Sequence, residues 1–209
     1  MTAAVRSRVH AIVPLALLEA IRALDLPTED GLEEFHHELT LKRLGMNQTV
    51  AAQIERYRRL ARSGRKAVEA GEVAALVRLV ERRRDAGLVY SEAGRRAARL
   101  AARRVPAPLV WLACKLPLAG EAVGWLLARR LAGLLGVKLQ RRGRELDAGL
   151  DASTLGALTE DGTGCSFFGS AAAELLRLFT SFDGALLHRS CRARGEAHCQ
   201  WRAEAPPED

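Results

Sequence analysis

Apolar positions recur at helical spacing along most of this chain and change to the alternation of strands only toward its C-terminal end. In "PLALLEAIRALDL", Leu17, Leu18, Ile21 and Leu24 form one stripe, which predicts an amphipathic helix ended by the turn residues of "LPTEDG". "GLEEFHHELTLKRLG" reads as a second amphipathic segment, closed by Gly45. Asn47 then offers an N-cap for a helix to about Leu60, Ser63-Gly64 breaks it, and another helix is expected over about residues 69 to 83.

The texture changes from about residue 87. "YSEAGRRAARLAARRV" predicts a helix whose small face, Ala93, Gly94, Ala97, Ala98 and Ala101, lets a neighbour approach closely. "APLVWLACKL" and "EAVGWLLARRLAGLLG" follow as strongly apolar helices broken at Pro117 and Gly136. The Gly/Asp-rich stretch "VKLQRRGRELDAGLDASTLGALTEDGTG" is expected to hold a strand or two with turns. "SFFGSAAAELLRLFTSF" is a last helix, buried through Ala173, Leu175, Leu176 and Phe179. "GALLHRSCRARGEAHCQWRAE" alternates on either side of Arg194-Gly195-Glu196, which reads as a β-hairpin, and "APPED" as a frayed tail. The expected class is α+β and mostly helical.

Composition sharpens this picture in two ways. At 209 residues and 48% apolar, the chain can bury a core without disulfide staples, and its Ala and Leu bias favours helix over sheet. The formal charge of +7 would suit an anionic partner, yet the arginines are spread along the chain. "LTLKRLGMNQTVAAQIERYRRLAR" has the outline of a helix-turn-helix but fits equally a plain αα-hairpin with a basic solvent face, and nothing fixes base-reading residues. Nucleic acid is therefore not the expected partner.

Two apolar stretches raise the question of membranes. Glu19 and Arg22 interrupt the N-terminal one, and no small-residue cleavage site follows, so a signal peptide is not expected. Lys115, Pro117, Glu121, Arg129 and Arg130 cut the stretch from 106 to 137 into pieces too short to span a bilayer. The expectation is a cytoplasmic protein without a transmembrane segment, whose cysteines are thiols or metal ligands rather than disulfides.

Chemistry concentrates in "HRSCRARGEAHCQWR", residues 188 to 202. Cys191 and Cys199 flank the expected turn and so lie on opposite hairpin strands. His188 precedes Cys191 by an odd number of residues, so simple alternation puts them on opposite faces and a bulge or twist is needed for them to converge. Cys165 opens the last helix, whose far end returns the chain to the hairpin. Cys165, His188, Cys191 and Cys199 could close a tetrahedral Cys3His site, the donor set that structural zinc prefers. Two buried thiols and two surface histidines fit the spacing as well. His198 is a competing donor, though as the neighbour of Cys199 it would point to the other face. No open His/Glu group suggests catalytic zinc, and no CxxC opens a helix as a redox pair would.

The stretch from Cys165 to Cys199, with "CRARGEAHC" as its most specific element, resembles the C-terminal part of the 4-vinyl-reductase (4VR) domain family. That family includes a bacteriochlorophyll-biosynthesis protein and the sensor domains of phenol- and xylene-responsive activators, and it is distantly similar to subunits of the TRAPP tethering complex. "YSEAGRRAARLAARR", with Gly94 and Ala98, looks like its opening helix. The resemblance covers about residues 86 to 204 and departs at His188, where the sensors carry a glutamate. It implies an α/β 4VR-like, TRAPP-subunit-like ligand-binding domain with a zinc-binding hairpin (86–205) and leaves unexplained the helical N-terminal region (1–85), which, like the disordered tail (206–209), is read from the residue pattern. It also implies structural Zn2+ on Cys165, His188, Cys191 and Cys199, and an apolar pocket for a hydrophobic or aromatic ligand. Candidate lining residues are Val110, Trp111, Cys114, Trp125, Leu126, Phe167 and Phe168. Trp111 and Trp125 lead that set, as large rings whose N–H needs a partner.

The expected function is a zinc-stabilised, sensor-like small-molecule-binding module, enzymatic activity being left open, with a homodimer compatible with its apolar surface. A tetrapyrrole-pathway accessory protein or reductase is the second reading, although no flavin or nicotinamide fingerprint is visible. The third is a DNA-associated or scaffold protein acting through the basic N-terminal helices.

Overall fold

A computed structural model describes residues 8–25, 48–63, 68–115, 119–142, 145–150, 159 and 161–204. The segment 31–45, the Asn47 cap and the tail 206–209 lie outside the described residues. In chain order the elements are β1 (Arg8–Val9), α1 (Ile12–Asp25), α2 (Gln48–Arg62), β2 (Val68–Glu69), α3 (Ala70–Glu81), α4 (Ala86–Ala102) and α5 (Ala107–Lys115). Then follow α6 (Ala119–Leu134), β3 (Val137–Arg142), β4 (Glu145–Leu150), α7 (Cys165–Phe179), β5 (Ala185–Ser190) and β6 (Gln200–Glu204). Among the described residues these seven helices and two antiparallel sheets make an α+β fold. None of the described helices is long and apolar enough to cross a membrane.

Helix α7 is the centre of the packing. Ala171, Ala172, Leu175 and Leu176 are all buried, because α4 covers one side of the helix and the four-stranded sheet another. The small face of α4 works as its sequence implies. Ala93, Ala97, Ala98 and Ala101 are fully buried, and a Cβ on Gly94 would stand 2.2 Å from the carbonyl oxygen of Phe167. Only a residue without a side chain permits that approach. α1 packs on α4 through Ile12, Leu15 and Leu17, and α3 contributes Val73, Val77 and Val80 to the same core. One continuous apolar cluster thus runs from Ala11 to Trp201, across the boundary expected near residue 85.

The N-terminal helices are knitted together by their own charges. Arg58 pairs with Glu19 on α1 at 2.8 Å, Arg56 binds Glu72 on α3, and Arg83 bridges Asp25 and Asp85 at 2.7 and 2.8 Å. These arginines link helices in the manner of a packed αα array. The short β1–β2 pair, Arg8 opposite Glu69 and Val9 opposite Val68, ties the start of α1 to the start of α3.

The larger sheet has the order β3-β4-β6-β5, all antiparallel, so β6 lies inside and β5 on an edge. Its alternation puts Val137, Leu139, Ala148 and Trp201 against the helices. β5 and β6 are neighbours, with His188 opposite Trp201 and Ser190 opposite Gln200. The residue between His188 and Ser190 has no partner of its own, so a β-bulge stands at the position where the spacing of His188 and Cys191 requires one.

Candidate metal centre

Local structure brings three cysteines to one point. Ahead of α7, Thr163 N–H donates to Asp161 Oδ1 at 2.9 Å and Gly164 N–H to Thr159 Oγ1 at 3.0 Å, so side chains satisfy amides that a helix start leaves unpaired. Cys165 follows as the first helical residue. Gly162, with φ +77°, turns the chain so tightly that a Cβ there would stand 2.9 Å from Cys191 Sγ. Its left-handed backbone and missing side chain let the approach to α7 lie against the second cysteine.

Cys191 follows β5 with extended backbone, and its carbonyl accepts from the amides of Arg194, in the short 3-10 turn that follows, and Glu196 just beyond it. Its own N–H donates to the Glu196 carboxylate. The turn closes at Gly195 in the left-handed conformation, and Cys199 then leads directly into β6. The Arg192 amide points back at Cys199 Sγ at 3.4 Å, a donor that favours sulfur carrying negative charge.

His188 completes the set through the bulge. The potential ligand atoms of Cys165, His188, Cys191 and Cys199 all lie within 4.8 Å of one another. Cys165 Sγ stands 3.6 Å from Cys199 Sγ and 3.8 Å from Cys191 Sγ. Thiolates about 2.3 Å from a tetrahedral zinc are spaced by about 3.8 Å, whereas a disulfide needs about 2.05 Å. The sulfurs therefore have the spacing of ligands around a common centre and not of a bonded pair.

The electrostatics favour a cation there. Burial, reinforced by the neighbouring Cys199 and Cys191, pushes the Cys165 thiol far above its ordinary range, because three thiolates cannot share a dry site uncompensated. A divalent ion reverses that balance and binds the thiolates. Burial and the nearby Arg194 push His188 down, against a backbone hydrogen bond at Ser190 and the charge of Glu196, so the imidazole is held neutral, the form that ligates metal. His188 Nε2 is buried with no hydrogen-bond partner, and the ring stacks on Trp201. An orphaned buried nitrogen, three converging sulfurs and a ring held on its other side are what a Cys3His metal site presents.

No family model, curated protein or solved structure gives a significant match to this chain. The reading of the centre therefore stands on the donor atoms themselves.

The other expected site residues do not assemble into one pocket. Phe167 and Phe168 line a small apolar cavity of about 20 Å³ with Val13, Leu17, Val77 and Tyr90. Val110 and Trp125 are half-buried against the core, while Trp111 and Leu126 are 61% and 60% exposed. The side chain of Cys114 lies outside the described residues. Leu126 faces solvent because the buried side of α6 runs through Gly124, Ala128, Leu131 and Ala132, and a Cβ on Gly124 would stand 1.7 Å from the Phe179 carbonyl oxygen. His198 is exposed and outside the cluster, whereas Trp201 is buried and shapes it. Sequence reasoning missed Gly162, whose only signal is its place in the turn "EDGTG".

Proposed function

We propose that the protein is a small-molecule-binding module whose scaffold is held in shape by one structural zinc ion on Cys165, His188, Cys191 and Cys199. The observation that carries the metal is the convergence of four donor atoms within 4.8 Å. Four protein ligands fill a tetrahedral zinc and leave no position for water or substrate, so the ion's role is to clamp rather than to catalyse. It clamps the start of α7 to both ends of the loop between β5 and β6. Structural zinc contributes about 10–16 kcal/mol in small peptide sites, comparable with the whole net stability of a domain, so the metal decides whether this region is ordered.

The ligand-binding part of the reading is supported by the resemblance to the 4VR sensors and by the recesses beside α7, the helix that the metal anchors. A 4VR-like topology and a hydrophobic or aromatic ligand are the finer form of the proposal. Elemental analysis of reduced, purified protein tests it, with about one zinc per chain expected, and finding none removes the module as proposed. Native mass spectrometry for a co-purifying small molecule tests the ligand.

A further inference from the structure

The apolar cavity beside Phe167 is water-sized, but a second recess is not. Where α4, α7 and the edge strand β5 meet, a cleft of about 360 Å³ opens to solvent. That volume lies in the range of small-ligand sites. The ionisable groups on its walls are Arg95, Arg177 and His188, and none of its lining residues carries a carboxylate. Ser91, Ser166 and Ser170 add three hydroxyls.

The two arginines are not equally neutralised. Arg95 pairs with Glu92 at 3.0 Å, one helical turn away. Arg177 has no carboxylate partner among the described residues, and one of its N–H groups donates to the Gly184 carbonyl at 2.9 Å. A neutral carbonyl fixes the guanidinium without cancelling its charge, which leaves a positioned cation at a concave surface. Ser166, Ser170 and Arg177 come from one helix and span about 16 Å of its length, so the cleft is elongated. Leu186 and Ala185 give it an apolar wall, and His188 and Trp201 also line it.

We propose that this cleft binds a small organic anion, its oxyanion head group held by the guanidinium groups of Arg177 and Arg95, with the serine hydroxyls lining the far end of the cleft and the apolar part of the ligand lying on Leu186 and Trp201. The inference rests on the reading of the chain as a ligand-binding module and supplies the place and chemical class of the ligand. His188 belongs both to the cleft and to the donor cluster, so a bound anion changes the surroundings of the metal.

The test uses the full chain loaded with zinc or cobalt, titrated calorimetrically with benzoate and with inorganic phosphate. One saturable site is expected for at least one of the two probes, weakening with added salt. Arg177→Gln and Arg95→Gln should each lower affinity tenfold or more while metal content stays at the wild-type value, and the visible bands of the cobalt form should shift on binding. Benzoate alone identifies a carboxylate head group, and phosphate alone a phosphate; either supports the cleft. Folded, metal-loaded protein that saturates with neither probe, or arginine variants with wild-type affinity, overturns it. Saturation with neutral phenol in place of both anions overturns the cleft and leaves the module reading intact, whereas absence of metal removes that reading whatever the anions do.

Discussion

The imidazole of His188 lies flat on the indole of Trp201, with ring centroids 4.6 Å apart and planes 12° from parallel. The two residues face each other across β5 and β6, so the sheet register itself orients the ligand ring. Trp201 thus positions the imidazole that would ligate the proposed zinc. Trp201→Ala is expected to weaken zinc binding by about 10- to 100-fold, the usual effect of removing a group that orients a ligand. It should also cost about 3–5 kcal/mol through the cavity left in the core. Trp201→Phe keeps a stacked ring and should recover most of the zinc affinity, measured by competition with a chromophoric chelator.

His188 allows a sharper test of donor chemistry. His188→Ala and Cys199→Ser should leave the purified protein short of metal and expose the C-terminal elements to proteolysis. His188→Glu supplies a carboxylate oxygen, another competent zinc donor, and should retain about one metal per chain. Elemental analysis of the three variants beside wild type decides the point, and a His188→Glu protein as empty as His188→Ala counts against the imidazole as ligand.

Chelation should act as a denaturant on part of the molecule. Removing zinc with a strong chelator under reducing conditions is expected to lower the thermal midpoint by many degrees and to raise amide exchange around Cys191 and Cys199, because binding energy of this kind is folding energy. Hydrogen-exchange mass spectrometry should find α1 and α3, which pack mainly on α2, α4 and each other, less affected. Uniform exchange before and after chelation would show the site to be ornamental.

The N-terminal helices carry a pH dependence of their own. Hydrogen bonding from Arg56, joined by Tyr57 and opposed by burial, holds the Glu72 carboxyl below its ordinary range. A depressed carboxylate adds stability above its unfolded value near pH 4.3, and loses it as pH falls through the lower folded value. Both Arg56 and Glu72 are partly solvent-exposed, so the contribution is about 1 kcal/mol or less. Glu72→Gln should therefore be slightly less stable than wild type at neutral pH, with the difference vanishing below about pH 4. Urea midpoints of the two proteins along the same pH series measure it, and any acid release of metal is common to both.

Close helix packing predicts a large effect from a single methyl group. Gly94→Ala would drive a Cβ into the backbone of α7 and should destabilise by about 1–3 kcal/mol, or more if α4 and α7 must separate. Metal stoichiometry should be unchanged, since Gly94 touches α7 on the face turned to α4. Equilibrium unfolding with parallel metal analysis separates the two effects.

What the sequence made legible follows periodicity and spacing. The small stripe of α4, the helix beginning at Cys165 and the need for a bulge between His188 and Cys191 all follow from local rules, and the bulge is present. The four donors were suggested by their spacing, which fitted two buried thiols and two surface histidines equally well, and by the resemblance to the 4VR family. What escaped depends on contacts distant in sequence. The β1–β2 pair joins residues about 60 positions apart and has no local signature. The exposure of Trp111 and Leu126 reflects which face of α5 and α6 the rest of the chain covers, and apolar content alone does not reveal it. The cleft lined by Arg95 and Arg177 was invisible for the same reason, since its walls come from four separate elements.

The place of β6 in the sheet has a consequence for the order of events in the cell. β4 and β5 are not neighbours; the strand that joins them is the last of the four to leave the ribosome. Without β6, nothing in the sheet joins the β3–β4 pair to β5. Cys199 immediately precedes that strand, so the fourth donor reaches the site in the same step that closes the sheet. A metal ion on these four donors would therefore have its full ligand set only once β6 has closed the sheet.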